Sequence, residues 1–158
     1  MKIITRTIIK DITHDDLVSL LSTGLYGSTW LYATYDVDKF KDVIKDCDTL
    51  EDALSCILLN GGYIWLVDTY AEDEDEANGN VCECVYDEKN GMKYKVTLER
   101  IKVALRRAAN GTFHANNEHE KKYMHKCVER LIDNEGDFDY YDADNILQIV
   151  MFNEMIYG

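Results

Sequence analysis

The alternation of apolar and polar positions divides the chain into short, separately punctuated elements. Ile3 to Ile9 reads as a short strand, and behind Thr13 the apolar residues Leu17, Leu20 and Leu21 recur at helical spacing. Asp16 stands three residues after Thr13, an acidic form of the capping box that marks a helix start. Gly24 and Gly27 end that helix, and STWLYATYD (28–36) predicts a second strand because aromatic and β-branched side chains suit a pleated, half-buried surface. Asp36, Asp38, Lys39, Lys41, Asp42 and Lys45 make the next stretch a polar connection or short helix. Thr49 then opens a helix through Leu50, Ala53, Leu54, Ile57 and Leu58, which Asn60-Gly61-Gly62 stops.

The nearly continuous apolar run YIWLVDTY (63–70) predicts a central strand covered on both faces. AEDEDEANGN (71–80) follows with five consecutive acids, and charge repulsion makes it an exposed loop. Residues 81–87 and 92–97 alternate with period two around Lys89-Asn90-Gly91, which predicts a hairpin over 81–97. Thr97 caps a helix with Leu98, Ile101, Leu105 and Ala108 inside and Arg100, Lys102, Arg106 and Arg107 outside. A charged helix is expected over 117–133. A last helix from Asp142 to about Tyr157 is apolar on most sides, as a core helix or a subunit interface would be. The expected architecture is a single α+β domain over residues 1–158, with a mostly antiparallel sheet of about four to five strands and four to five helices.

Charge changes this picture more than composition does. With 46% hydrophobic residues the chain has the balance of a packed protein. Its formal charge of −13, however, is unevenly placed. Residues 89–130 carry eleven Lys/Arg and four Asp/Glu, net +7, which leaves six basic and twenty-six acidic residues elsewhere, net −20. Such a balance opposes direct binding to bare nucleic acid except through the basic helix 98–109, because that binding rests on cations displacing counterions from phosphates. A basic protein partner is favoured. No apolar run has membrane-spanning length, the opening MKIITRTIIKDITHDD lacks the apolar region of a secretory signal, and the five cysteines show no disulfide-framework spacing. A cytoplasmic location without membrane contact is the expectation.

Two acidic segments concentrate the negative charge: nine Asp/Glu and no Lys/Arg in 68–88, six and none in 133–144. The expected partner-binding residues are Glu72, Asp73, Glu74, Asp75 and Glu76 in the first, and Asp133, Glu135, Asp137, Asp139, Tyr140, Tyr141 and Asp142 in the second. The aromatics among them supply anchor surface of the kind interfaces use. Arg100, Lys102, Arg106 and Arg107 are candidates for contact with a nucleic acid or with a second copy. Enzyme-like readings are weaker. Cys82-x-Cys84 with His114, His119, His125 and Cys127 could serve zinc, but the spacing fits no common finger. The carboxylates of 133–144 lack the glycine and glutamate positions of an EF-hand loop. Gly24-x-x-Gly27-Ser28 falls short of a nucleophile turn, and Gly61-Gly62 ends a helix before a strand, the reverse of a phosphate loop. No catalytic residue, metal or cofactor is assigned.

The stretches ITHDDLVSLLSTGLYGSTW, LLNGGYIWLVD, VTLERIKVAL and DADNILQIVMFNEMIYG resemble, in that order, small acidic proteins of phages and prophages of Gram-positive gut bacteria. The resemblance carries no catalytic residues. It implies a phage protein in a bacterial cytoplasm, similar in kind to anti-CRISPR inhibitors that act as acidic mimics in the DNA-binding channel of type II CRISPR nucleases. On that implication the acidic segments would meet the Arg and Lys that read the protospacer-adjacent motif or cradle the heteroduplex. The basic helix departs from a pure mimic and leaves room for a homodimer. The alternatives are a phage accessory enzyme or zinc-binding nucleic-acid factor, and a structural phage subunit assembled through the apolar last helix.

Overall fold

The computed structural model describes residues 12–71, 83–133 and 136–157. The expected strand at Ile3 to Ile9, the acidic run Glu72–Glu76, Cys82 and Glu135 lie outside them. Helix starts are placed by side chains that satisfy the first free amides of each helix. Thr13 caps α1 (His14–Leu25) in a full capping box with Asp16, Asp36 caps α2 (Val37–Ile44), and Thr49 caps α3 (Leu50–Leu59). Thr97 caps α4 (Leu98–Asn110), which Gly111 ends in the left-handed conformation. Helix α5 spans Glu118–Asp133. The last helix, α6 (Tyr140–Phe152), is capped by Asp139 in a second full capping box with Asp142, and Asn153 ends it at φ 59°.

Four strands, β1 (Leu31–Thr34), β2 (Tyr63–Asp68), β3 (Cys84–Asp87) and β4 (Gly91–Thr97), form an antiparallel sheet in the order β1-β2-β4-β3. With six helices among the described residues, the fold is α+β. The β3–β4 hairpin turns where Asn90-Gly91 predicts it. Gly91 has φ +104°, and a Cβ there would run into the Asp68 carbonyl oxygen across the ladder, so the turn requires glycine.

Register decides which side chains face the helices. The pairs Ile64↔Val96, Leu66↔Tyr94 and Asp68↔Met92 put those six residues on one face, joined by Leu31 and Ala33 from β1 and Cys84 and Tyr86 from β3. That face packs into one apolar core with Leu17, Leu20 and Leu21 of α1, Leu54, Ile57 and Leu58 of α3, Ile101 and Leu105 of α4, and Met124 and Val128 of α5. The opposite face of β2 is closed only at Val67, which is wholly buried; Tyr63 and Trp65 are half-exposed, with Lys39 and Lys95 over the Tyr63 ring and Lys93 over Trp65. The expectation of a strand buried on both faces is therefore corrected, since long lysine stems shield the outer aromatics.

Helix α6 differs from its predicted span because the capping pair draws its start back to Tyr140, and the left-handed Asn153 stops it after Phe152. Met155–Tyr157 fold back across the core instead of continuing the helix. Ile146, Leu147, Ile149, Val150, Met151 and Phe152 are all buried within this one chain, so the apolar faces of α6 form core and not a subunit interface. No helix among the described residues is long and apolar enough to cross a membrane.

Candidate functional site

The acidic segments separate into structural and surface carboxylates. Asp68 sits on the inner face of β2, where it accepts from the Tyr157 hydroxyl at 2.7 Å and the Tyr70 amide at 2.9 Å. Asp144 accepts from the Trp30 indole at 2.8 Å and from Gln148 at 2.8 Å. Asp142 is 1% exposed and accepts from Arg130 at 2.8 Å and from the Cys127 thiol at 3.2 Å. Its expected place in a partner contact is corrected: the helix cap and the Arg130 pair hold it inside. Asp139 stays exposed but is committed as the cap, accepting from the Asp142 amide at 2.9 Å. Asp133 and Asp137 remain as exposed carboxylates of the second segment.

Beside them the surface carries aromatic rings that the core leaves out. Tyr26 is 86% exposed and Tyr141 67% exposed. Tyr140 stacks edge-on against Tyr141 with centroids 5.6 Å apart, and it lines a shallow depression with Tyr26, Ser22, Thr23 and Glu51. This joins the end of α1, the start of α3 and the start of α6, a convergence that sequence reading missed for Tyr26. The polar connection read at 36–45 is α2 and the turn after it, where Asp36, Asp38, Asp42, Asp46 and Asp48 are exposed among Lys39, Lys41 and Lys45.

The basic side is partly structural as well. The Arg100 guanidinium turns inward and donates to the Val150 carbonyl at 3.3 Å, while Lys102, Arg106 and Arg107 are half-exposed. A groove of about 570 Å³ runs between the end of α4 and α5, lined by Lys121, Lys122, Lys126 and Arg130 together with Glu118, Glu129, His119 and His125.

Among the described residues, the cysteines and histidines weighed as zinc ligands do not converge. His125 is buried, with Nδ1 at 2.8 Å from the Ala109 carbonyl and Nε2 at 2.9 Å from Glu129, and Cys127 points at Asp142. Cys84 lies on the inner sheet face. Burial and the Asp142 carboxylate push the Cys127 thiol far above the ordinary cysteine range. Because the thiolate is the nucleophile, iodoacetamide on native reduced protein is expected to spare Cys127 and to label it once the chain is unfolded. Peptide mass mapping checks this, and rapid native labelling of Cys127 would contradict the buried thiol.

A different cluster forms where α1 and α3 meet. His14 is the first residue of α1, Asp52 and Cys56 stand one turn apart on α3, and Cys47 precedes that helix. His14 Nε2 lies 2.6 Å from Asp52 Oδ1 and 3.9 Å from Cys56 Sγ, which is itself 3.9 Å from Asp52 Oδ1. Cys47 Sγ lies 3.6 Å from Cys56 Sγ. Burial, with Cys56 and Asp52 alongside, pushes the Cys47 thiol up to about 11. A Cys-His-Asp relay uses both ring nitrogens, one towards the nucleophile and one towards the acid. Here the single atom Nε2 faces both Cys56 and Asp52, and Nδ1 has the Asp15 carboxylate only at 3.8 Å, beyond hydrogen-bond reach, so the arrangement is not a nucleophilic triad.

No family model, no curated protein and no solved structure matches the chain.

Proposed function

We propose that this protein is a binding protein that engages a basic, nucleic-acid-handling protein through a tyrosine-anchored acidic surface. In its sharpest form the proposal is a phage counter-defence inhibitor of an RNA-guided type II CRISPR nuclease. The observation that carries it is the patch of exposed Tyr26 and Tyr141 with half-buried Tyr140, beside Asp137 and Asp139, on a chain whose charge outside residues 89–130 is −20. Exposed tyrosines supply rigid contact area at small entropic cost, and surrounding carboxylates steer a cationic partner and set the register of docking. Nothing in this role needs a reacting group. The dipolar charge, acidic on two segments and basic on α4–α5, orients the encounter.

Purified protein is expected to block DNA binding or cleavage by a type II CRISPR nuclease of a Gram-positive bacterium at one-to-one stoichiometry, less effectively as salt rises. The variant Asp133→Lys/Asp137→Lys/Tyr141→Ala should weaken binding at least about 100-fold by calorimetry, on the scale of hot-spot losses. Its circular dichroism should be unchanged, since none of the three residues caps a helix or sits in the core. Asp142 and Asp139 are left intact because they hold α6. Full inhibition by this variant, carried further by serine at 72–76, would rule out the acidic surface. Absence of any nuclease binding at low salt would rule out the partner.

A further inference from the structure

We infer that His14, Cys47, Asp52 and Cys56 form a four-coordinate site for a soft divalent cation of the zinc class. These side chains offer two sulfurs, one imidazole nitrogen and one carboxylate oxygen, the donor types zinc takes in closed tetrahedral sites. The metal-directed atoms of His14, Asp52 and Cys56 all lie within 4.8 Å of one another, and no other such group of three occurs among the described residues. Cys47 lies outside that mutual group; its Sγ is 3.6 Å from Cys56 Sγ, and a turn of its side chain brings it in as the fourth ligand.

Four of the donor–donor separations can be set against the edges of a tetrahedron. Bonds of about 2.3 Å to sulfur and about 2.0–2.1 Å to nitrogen and oxygen give donor–donor edges of about 3.3–3.8 Å. The two Cys56 separations of 3.9 Å and the sulfur pair at 3.6 Å lie close to such edges. The His14–Asp52 contact of 2.6 Å is shorter, the length of a hydrogen bond. The two atoms share a proton, and a cation that replaces this proton spreads the pair by under an ångström. Metal binding at Nε2 puts the imidazole proton on Nδ1, and ligation as thiolates releases the two cysteine protons.

The surroundings support the same role. Asp52 and Cys56 project from one face of α3 at i and i+4, a spacing that brings two ligands to one metal. Leu17, Leu20 and Leu21 beneath His14 pack with Leu54, Ile57 and Leu58 beneath Asp52 and Cys56, so the core fixes one ligand-bearing helix against the other. The exposed Asp15 carboxylate lies 3.8 Å from His14 Nδ1, beyond hydrogen-bond reach, and adds only a favourable charge near the ring. His14 and Asp52 are 40% and 33% exposed, which leaves an entry path. Two thiolates and one carboxylate around a dication leave one net negative charge, which the starts of α1 and α3 favour. With four protein ligands the site has no open position. Its role is to fasten the start of α1 to the α2–α3 connection, not to activate water.

Cobalt(II) titrated into the reduced full-length protein is the probe. One equivalent is expected to bind with visible ligand-field bands and a near-ultraviolet thiolate-to-cobalt charge-transfer band, and zinc should displace it. Cys47→Ser, Cys56→Ser and His14→Ala should each weaken binding at least 100-fold, whereas Cys84→Ser should bind like the parent. His14 is half-exposed on the first turn of α1, so His14→Ala reports on ligation even if a cysteine variant misfolds, and circular dichroism checks each fold. Absence of the charge-transfer band in the reduced parent would overturn the site. So would binding that survives Cys47→Ser and Cys56→Ser together.

Discussion

The Asp142→Lys variant is expected to lose its cooperative fold at 25 °C, although the same change at Asp137, five residues earlier, should shift stability by no more than about 0.5 kcal/mol. Asp142 is 1% exposed and its carboxylate has three tasks at once. It accepts from Arg130 at 2.8 Å, from Cys127 at 3.2 Å and from the Asp139 amide at 3.2 Å, which closes the capping box of α6. The pairing with Asp142 also raises the pKa of Arg130, so that guanidinium stays charged. Arg130 is 36% exposed and can turn to water, so the main cost is an unpaired ammonium at a site that is 1% exposed, on the order of several kcal/mol, and losing the cap adds about 1 kcal/mol. Lysine then places a second cation beside Arg130. The total approaches the whole stability of an ordinary domain, about 5–15 kcal/mol. Asp142→Asn keeps an acceptor of the same shape and should lose about half as much. Urea titration followed by circular dichroism separates the three variants, and a parental midpoint for Asp142→Lys would show that the Arg130 pair and the cap do not hold α6.

Gln148→Leu is the second large effect, with an expected loss of about 4 kcal/mol or more. The Gln148 amide is wholly buried and uses every hydrogen-bonding position it has. Its nitrogen donates to Asp144 at 2.8 Å and to the Tyr157 carbonyl at 3.0 Å. Its oxygen accepts from the Ile156 and Tyr157 amides at 2.7 and 2.8 Å. Leucine fills the space but takes one of two donors from the Asp144 carboxylate, which keeps Trp30, and removes the Gln148 partner of three backbone groups, each worth about 1–3 kcal/mol when left without a partner inside. The effect should spread beyond the site, because the returning chain brings the Tyr157 hydroxyl to Asp68 at 2.7 Å and its ring to Trp30 at 4.7 Å. Indole fluorescence should change with the environment of Trp30, and the Ile156 and Tyr157 amides should exchange with solvent much faster. Retained protection of those two amides, with stability within 1 kcal/mol of the parent, would refute the network.

The contrast between Asp137 and Asp142 shows where sequence reading reached and where it stopped. Alternation and helical spacing located β2, the hairpin β3–β4 and helices α1, α3, α4 and α5 to within a few residues, since those signals lie within one element. Thr13, Thr49 and Thr97 were legible as caps for the same reason: a cap and the amide it holds are three residues apart. The start of α6 was misplaced because its terminus holds several acids, any of which satisfies the local pattern. Only the position of Arg130, on another helix, makes Asp142 the inward one.

The sites divide along the same line. Composition and order alone determined the charge asymmetry, the α+β alternation of elements and the lack of any local catalytic signature. The i, i+4 pair of Asp52 and Cys56 was present in the sequence, but nothing there connects it to His14, thirty-eight residues before Asp52. Packing of α1 on α3 made that connection, and it also dispersed the histidines of 114–127 into caps, grooves and core contacts. Tertiary structure decided which carboxylates face solvent and which donors converge. Both are relations between distant residues, created when the apolar faces close on one another, and no spacing along the chain encodes them.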